Sequence, residues 1–410
     1  MAGSSSGLPV PADFPPPPDL STRLGWMEAD RGHRPARLAR LRERMTAEGV
    51  DAYFGVKREN MRWLTGFNLA DGEEKVAGHS GQFLVGTDRV TLVTDSRYTV
   101  QARREAADVI VDEIGYDLAA AWPRLLAEVG ARRVAVEAGS VSHALWGRLA
   151  AAAPEVELVP VDGWIEATRA GKTPDEIERI AAACAVADRA LAALLPEIRV
   201  GVTEHDLALR LEWLIRTGGA EALAFDVACL AGPEAALPHG SPGDRPVLDG
   251  AVLLFDFGAQ VEGYRSDMTR TLFVGVPADR DLRVYDLVLR AQRAAIDALA
   301  ARVRAGSVPD GRELDAIARG VIDGDGTWPA YGHGLGHGIG LATHEEPRLS
   351  RTAPETPLPS PTVFSVEPGI YLEGETGIRI EDLVHLDSSR GVVELLTHFP
   401  RDVIALAGLT

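Results

Sequence analysis

The chain has 410 residues, too many for one ordinary hydrophobic core, so two domains are expected. A hydrophobic share of 46% is that of a globular protein, and a net charge of −18 argues against a nucleic-acid backbone as partner. No apolar run reaches the length of a membrane span, and the two cysteines, Cys184 and Cys229, form neither a disulfide framework nor a zinc signature.

The opening stretch, "MAGSSSGLPVPADFPPPPDLS", lacks the basic-then-apolar pattern of a secretory signal. Its Pro, Gly and Ser content predicts a flexible or polyproline II arm over residues 1–21. With no membrane segment, the chain reads as cytoplasmic. Over residues 32–48 apolar positions recur at helical spacing and a glycine follows, which predicts an amphipathic helix. "DAYFGV" reads as a strand. "GQFLVGTDRVTLVTDSRY" reads as two strands joined by a turn at residues 86–88, and a helix through "TVQARREA" leads to the strand "DVIVDEI". Residues 118–159 repeat the theme, with strands in "RRVAVEA" and "VELVPV". This alternation predicts a compact α/β domain over residues 22–165.

"GWIEATRAGKTPDEIER" opens a second domain, residues 166–410. Thr173 and Glu176 have capping-box spacing at the start of a helix that runs towards Leu195. Thr203 starts another helix, which stops at a pair of glycines. Beyond it the chain becomes strand-rich, in "AFDVACLAG", "AVLLFDFGAQVEGYRSDMTRTLFVG", "TVFSVEPGIYL" and "GIRIEDLVHL". A long helix, "DLRVYDLVLRAQRAAIDALAARV", lies between. Helices beside mainly antiparallel strands predict an α+β domain.

Four acids interrupt those apolar strands. Pairing Asp256 opposite Asp267 puts a turn at residues 261–262, just before Gly263, and brings their Cβ atoms to roughly 5 Å. Glu367 and Glu381 flank a turn centred near Gly374 in the same manner. Buried carboxylates this close must share a proton or face something positive. A salt bridge to Arg379, on the same strand face as Glu381, is one way to supply it and leaves a metal site intact. The segment "YGHGLGHGIGLATHEEP", residues 331–347, holds three of the ten histidines among five glycines. Glycine serves where backbone must bend sharply or approach another group closely, so histidines set there suggest a metal or a reacting substrate. With His337 as a neutral fifth ligand, the four carboxylates would suit two divalent cations, Mn²⁺, Co²⁺, Fe²⁺ or Zn²⁺. Two such ions can share a water and turn it into hydroxide near neutral pH.

At this point the residues resemble the pita-bread metallopeptidases of family M24: methionine aminopeptidase, prolidase and aminopeptidase P. The similar segments are "PHGSP", "DFGAQVEGYRSDMTRT", "HGLGHGIGLATHEEP", "VEPGIY" and "GIRIED". The first domain resembles the creatinase-type N-terminal domain through "NMRWLTGF" at residues 60–67 and "VTDSRYTVQA" at residues 93–102. That domain points to the proline-directed branch. The resemblance implies an α/β creatinase-like domain followed by an α+β pita-bread catalytic domain. It implies that Asp256 binds one metal, that Asp267 and Glu381 bridge two, and that His337 and Glu367 complete the second site, with Mn²⁺ the first choice. Glu367 would also shuttle a proton. His239 and His344 would steady the substrate carbonyl and the tetrahedral intermediate. His333 and Arg379 match further family positions at the substrate, and Tyr371 and Trp63 are candidate pocket residues.

The leading expectation is an aminopeptidase P that cleaves peptides with proline at the second position through a metal-bridging hydroxide. An Xaa-Pro dipeptidase is the alternative. A metal-dependent lyase or a non-catalytic binding module on the same fold is remoter. An Xaa-Pro bond is a tertiary amide without an N–H, and metal-activated attack does not need one. Family members are commonly dimers, so a homodimer is expected. The stretch "NLADGEEKVAGHSGQ" reads as a long polar loop, longer than the family pattern.

Overall fold

The strands expected in the first half of the chain pair into one sheet. In the computed structural model, which describes residues 8–69, 80–329 and 331–407, they are β1 (Ala52–Gly55), β2 (Gly81–Val85), β3 (Val90–Thr94), β4 (Ile110–Glu113), β5 (Arg133–Glu137) and β6 (Glu157–Val161). Their order is β4-β3-β2-β1-β5-β6. β2 runs antiparallel to both neighbours, and the other pairs are parallel. Helices α1 (Leu20–Glu48), α2 (Arg58–Thr65), α3 (Thr99–Glu105), α4 (Leu118–Val129) and α5 (His143–Ala152) accompany the sheet. Parallel neighbours need crossover connections, and the helical patterns between strands supply them. Trp122 of α4 meets Phe54 of β1 edge-on at 4.9 Å, inside a core with Leu84, Leu125, Val134 and Val136. Leu24–Thr168 form one compact unit.

α1 starts at Leu20, twelve residues before the expected helix, and continues through Pro35. A proline inside a helix removes one backbone hydrogen bond and normally marks a first turn. Here Trp26, Arg34, Arg37, Leu38, Leu41 and Met45 are buried along one face, and that burial offsets the missing bond.

The other unit holds Arg169–Thr410 together with the described part of Met1–Arg23. Helices α6 (Pro174–Leu194) and α7 (Glu204–Thr217) precede short strands β7 (Ala222–Leu223) and β8 (Ala228–Ala231). Then come β9 (Val252–Phe257), β10 (Ala259–Val261), β11 (Tyr264–Arg265), β12 (Met268–Val274), α8 (Asp279–Arg304) and α9 (Gly311–Asp325). The last part is all strand: β13 (Gly336–Gly338), β14 (Glu345–Leu349), β15 (Thr362–Val366), β16 (Gly369–Leu372), β17 (Thr376–Arg379), β18 (Asp382–Asp387), β19 (Val392–Leu395) and β20 (Ala405–Leu406). One sheet has the order β20-β12-β9-β8 and another β14-β13-β15-β18-β19, with smaller sheets β11-β10-β7 and β16-β17. Leu287, Val288, Ala291 and Leu299 of α8 and Leu314, Ala318 and Ile322 of α9 share a core with Phe364 and Val384 from the strands and with Ile380 between β17 and β18. The α/β then α+β order is as the sequence predicts.

From Leu8 onward the N-terminal arm is held rather than free. Phe14 is 7% exposed and stacks on Phe399 at 6.2 Å, while Arg189 of α6 donates to the carbonyls of Pro11 and Phe14. The prolines of this segment carry no N–H of their own, so its polar ties run from side-chain donors to its carbonyls. Most of the polar loop expected after α2, residues 70–79, lies outside the described residues. Among the described residues no helix is long and apolar enough to cross a membrane.

Candidate metal centre

β9 and β12 form the expected hairpin, but Thr269, not Asp267, lies opposite Asp256. The chain reverses at residues 262–263, between Val261 and Tyr264, with φ of 47° at Glu262 and 80° at Gly263. Two positive φ values in a two-residue loop match the strand twist. The turn therefore falls one residue later than expected, and the cross-strand partner moves by two. A shift of two preserves the face, and Asp256 and Asp267 line one cavity. Glu367 and Glu381 sit at the open end of the β16–β17 hairpin, which turns about Gly374 with φ of 72°. Backbone bonds tie them inward, Glu381 N to Thr269 O at 3.1 Å and Glu367 N to Leu335 O at 2.8 Å.

The glycines around His337 serve close approach. β13 is wedged between β14 and β15. A Cβ on Gly336 would come within 1.9 Å of Ser365 O, and one on Gly338 within 2.1 Å of Glu346 O. Of the three residues of β13, only His337 carries a side chain beyond Cα. The Gly338 carbonyl can only accept, so His337 Nδ1 donates to it at 3.1 Å. That leaves the Nε2 lone pair 3.4 Å from Glu367 Oε1 and 3.7 Å from Asp267 Oδ2. Burial lowers the basicity of this ring and keeps it neutral. One ligand atom each from Asp267, His337 and Glu381 lie within 4.8 Å of one another. With Asp256 and Glu367 they line a cavity of about 420 Å³, together with His239, His333, His344 and Arg379.

Arg379 is the buried cation of this site. It is 3% exposed, and its Nη2 lies 2.5 Å from Asp256 Oδ2. Its Nε donates to Thr269 Oγ1 at 2.9 Å, and the Thr269 hydroxyl donates onward to Glu381 Oε2 at 2.8 Å. Burial, then the Glu381 charge, push Asp267 well above the usual carboxylate range. Burial, then the Glu367 charge, do the same to Glu381, and burial also raises Glu367. Asp256 Oδ1 and Glu381 Oε1 are buried and accept no hydrogen bond from the protein. One guanidinium cannot answer four carboxylates. Open carboxylate oxygens beside one neutral imidazole are a donor set that fits divalent cations.

The Tyr371 hydroxyl accepts from Arg379 Nη1 at 3.0 Å, so its own proton goes to His333 Nε2 at 2.9 Å. His333 is then neutral, with Nδ1 donating to Gly334 O at 2.7 Å. Burial lowers its pKa in agreement. Tyr371 braces His333 and Arg379, both of which line the cavity. The His344 ring lies 4.3 Å from that of His337, and burial pushes its pKa down to about 4. Trp63 is a buried residue of the first unit, with the Arg37 guanidinium 4.6 Å from its ring centre. Phe225, Thr343, Arg348 and Ser350 also line the cavity, and none of them stands out in the sequence. Arg348 follows His344 by four residues, a signal visible in "HEEPR" but without a spacing rule to interpret it. Thr269 was hidden by the two-residue register shift.

Residues 178–388 match the profile of metallopeptidase family M24, and residues 37–170 that of the creatinase/prolidase N-terminal domain. An Xaa-Pro dipeptidase of Pyrococcus furiosus is 33% identical over 353 residues, 85% of this chain and 94% of that protein. The structure of an Xaa-Pro dipeptidase from Bacillus anthracis superposes with a TM-score of 0.82 at 31% identity, covering 91% of this chain and all of that one. An X-Pro aminopeptidase from Thermotoga maritima gives a TM-score of 0.77 at 36% identity, covering 87% of this chain and 98% of that one. With both profiles matched in order, and with relatives similar over nearly their whole length, the chain belongs to metallopeptidase family M24: it is a metallopeptidase with a creatinase-like N-terminal domain and a pita-bread catalytic domain.

Proposed function

We propose that this metallopeptidase is an Xaa-Pro dipeptidase working with two divalent cations, Mn²⁺ first among them. The observation that carries this reading is the convergence of Asp256, Asp267, His337, Glu367 and Glu381 on one cavity, in a chain similar over its length to Xaa-Pro dipeptidases. The same similarity favours the dipeptidase over the aminopeptidase P expected from the sequence. The 36% identity to an X-Pro aminopeptidase keeps that as the second reading. A cavity of about 420 Å³ is at the small end of ligand pockets, which suits a dipeptide. A cytoplasmic homodimer is the assembly expected.

Asp256, Asp267, His337, Glu367 and Glu381 would hold the cations. When bound, these supply a polarised carbonyl and a water acidic enough to attack near neutral pH. The protein does the rest. His239 and His344 would donate to the carbonyl oxygen as charge develops there, and a neutral His344 can do so through its ring N–H without adding positive charge beside the cations. Glu367 would take the proton of the attacking water and pass it to the proline nitrogen, which has no hydrogen until the bond breaks. Arg379 would fix Asp256, and Thr269 would fix Glu381, leaving one oxygen of each open.

The test is hydrolysis of Xaa-Pro dipeptides against Xaa-Pro-Xaa tripeptides, with the protein stripped of metal and reloaded with Mn²⁺. Metal-restored cleavage of dipeptides alone is expected. Cleavage of the tripeptides would make the protein an aminopeptidase P. No cleavage of either with metal bound would sink the Xaa-Pro reading and promote a lyase.

A further inference from the structure

A second polar cluster lies among the strands that carry the carboxylates, and none of its members lines the cavity. Arg270, Gln292 and Asp382 are 1%, 0% and 0% exposed. Arg270 spends all five of its N–H groups there. Nε donates to Pro400 O at 3.1 Å, Nη1 to Thr269 O at 3.0 Å and Glu381 O at 2.6 Å, and Nη2 to Asp382 Oδ1 at 2.6 Å and Phe399 O at 2.7 Å. Gln292, reaching in from α8, donates to Asp382 Oδ2 at 2.8 Å and lies 3.2 Å from both Val366 O and Ile380 O. Thr397 Oγ1 donates to Asp382 Oδ1 at 2.6 Å.

Besides Phe399 and Pro400, the carbonyls that receive these bonds lie at or beside the proposed ligands. Val366 precedes Glu367, Ile380 precedes Glu381, Glu381 offers its own carbonyl, and Thr269 is the residue whose hydroxyl holds Glu381 Oε2. The cluster thus joins β12, in one sheet, to the ends of β15 and β17 and the start of β18. A buried ion pair gives little net stability compared with well-packed apolar side chains of the same volume. A fully saturated one that grips the backbone beside two of the ligands, as well as the carbonyls of Phe399 and Pro400, does something more specific.

We propose that Arg270, Gln292 and Asp382 are positioning residues that set the spacing of Glu367 and Glu381 for metal binding. The proposal rests on the reading of those two glutamates as metal ligands. Backbone atoms fixed from behind hold a site open against the mutual repulsion of its carboxylates.

The experiment uses the full chain, stripped of metal and titrated with Mn²⁺ by isothermal calorimetry, beside thermal unfolding of the metal-free protein. Gln292→Met conserves volume and removes only the donors and acceptor. Arg270→Lys keeps the charge facing Asp382 but cannot reach five acceptors. The folded variants should bind Mn²⁺ about 10–100-fold more weakly than wild type. Mn²⁺ affinity within about twofold of wild type in folded Gln292→Met would overturn the proposal, whatever the metal-free melting temperature does. If Arg270→Lys does not fold, Gln292→Met decides. Failure of the wild type to bind Mn²⁺ would overturn the metal reading and this proposal with it. Unchanged affinity in the variant overturns this proposal alone.

Discussion

Glu345 and Glu381 are both buried glutamates of the second unit, yet their surroundings are opposite. The Glu345 carboxylate is 5% exposed and is held between Arg169 Nη2 and Lys172 Nζ, with Ala342 N donating at 2.8 Å. Burial works to raise its pKa, but Arg169 and Lys172 outweigh it and hold the group below the usual range. Glu381 has Thr269 on one oxygen, nothing on the other, and Glu367 and Asp256 as charged neighbours. Burial alone therefore does not mark a functional acid. A buried acid whose charge is answered is an anchor, here for the loop behind His344. A buried acid whose charge is unanswered is a candidate ligand for a cation.

Substituting each acid should separate the two roles most sharply. Glu381→Gln should cost at least about a thousandfold in Mn²⁺-dependent hydrolysis, since several kcal/mol of charge stabilisation depend on the metal. Its metal-free form should melt no lower than wild type, because the change removes one member of a repelling set. Glu345→Gln should do the reverse. It removes the charge that faces Arg169 and Lys172 and should destabilise the protein by about 3–5 kcal/mol, with or without Mn²⁺, in denaturant titration. An Glu381→Gln variant that keeps its activity would break the comparison at the metal end. A Glu345→Gln variant as stable as wild type would break it at the anchor.

The same pair predicts opposite limbs in a stability-against-pH curve of the metal-free protein. Glu345 is depressed below its ordinary 4.5. Its contribution is therefore full above that value and is lost as pH falls through the lowered one. Asp267 and Glu381 are raised, so they favour the fold while protonated and stop doing so as pH rises through their raised values. Glu381→Gln should flatten the upper limb and Glu345→Gln the lower one, read from denaturant midpoints across the pH range.

The sequence carried much of this because the site is made of exceptions to local patterns. An acid inside an apolar strand, or a histidine between glycines, is visible without coordinates. Asp256, Asp267, His337, Glu367 and Glu381 are all of that kind, and all reach one cavity. Strand register was less legible. The choice between a turn at residues 261–262 and one at 262–263 depends on which residue accepts positive φ, and Glu262 does so at 47°. That choice moved Thr269 into the place expected for Asp267. The Arg270 cluster was not legible, since its bonds run to backbone carbonyls, which every residue offers. The early start of α1 was missed because a proline outweighs a distant tryptophan in local reasoning, although Trp26 is 6% exposed. Local rules register a proline at once. They register burial only after the fold has supplied a partner.

The smallest predicted effect asks what aims Glu381. Thr269 Oγ1 accepts from Arg379 Nε and donates to Glu381 Oε2, so it carries one cation's influence to one carboxylate oxygen. Thr269→Val keeps the shape and removes the hydroxyl. It leaves the Arg379 Nε proton buried without an acceptor, at a cost of about 1–3 kcal/mol in stability. It also frees Glu381 to rotate, which should weaken Mn²⁺ binding by about tenfold. Thr269→Ser restores the hydroxyl and should restore most of the affinity, a rescue that packing alone would not give. If Thr269→Val loses stability but binds Mn²⁺ as wild type does, the side-chain link is dispensable. The aim of Glu381 is then set by its backbone, through the bonds from Arg270 and Gln292, and the difference between Glu345 and Glu381 lies in what holds the main chain as much as in what faces the carboxylate.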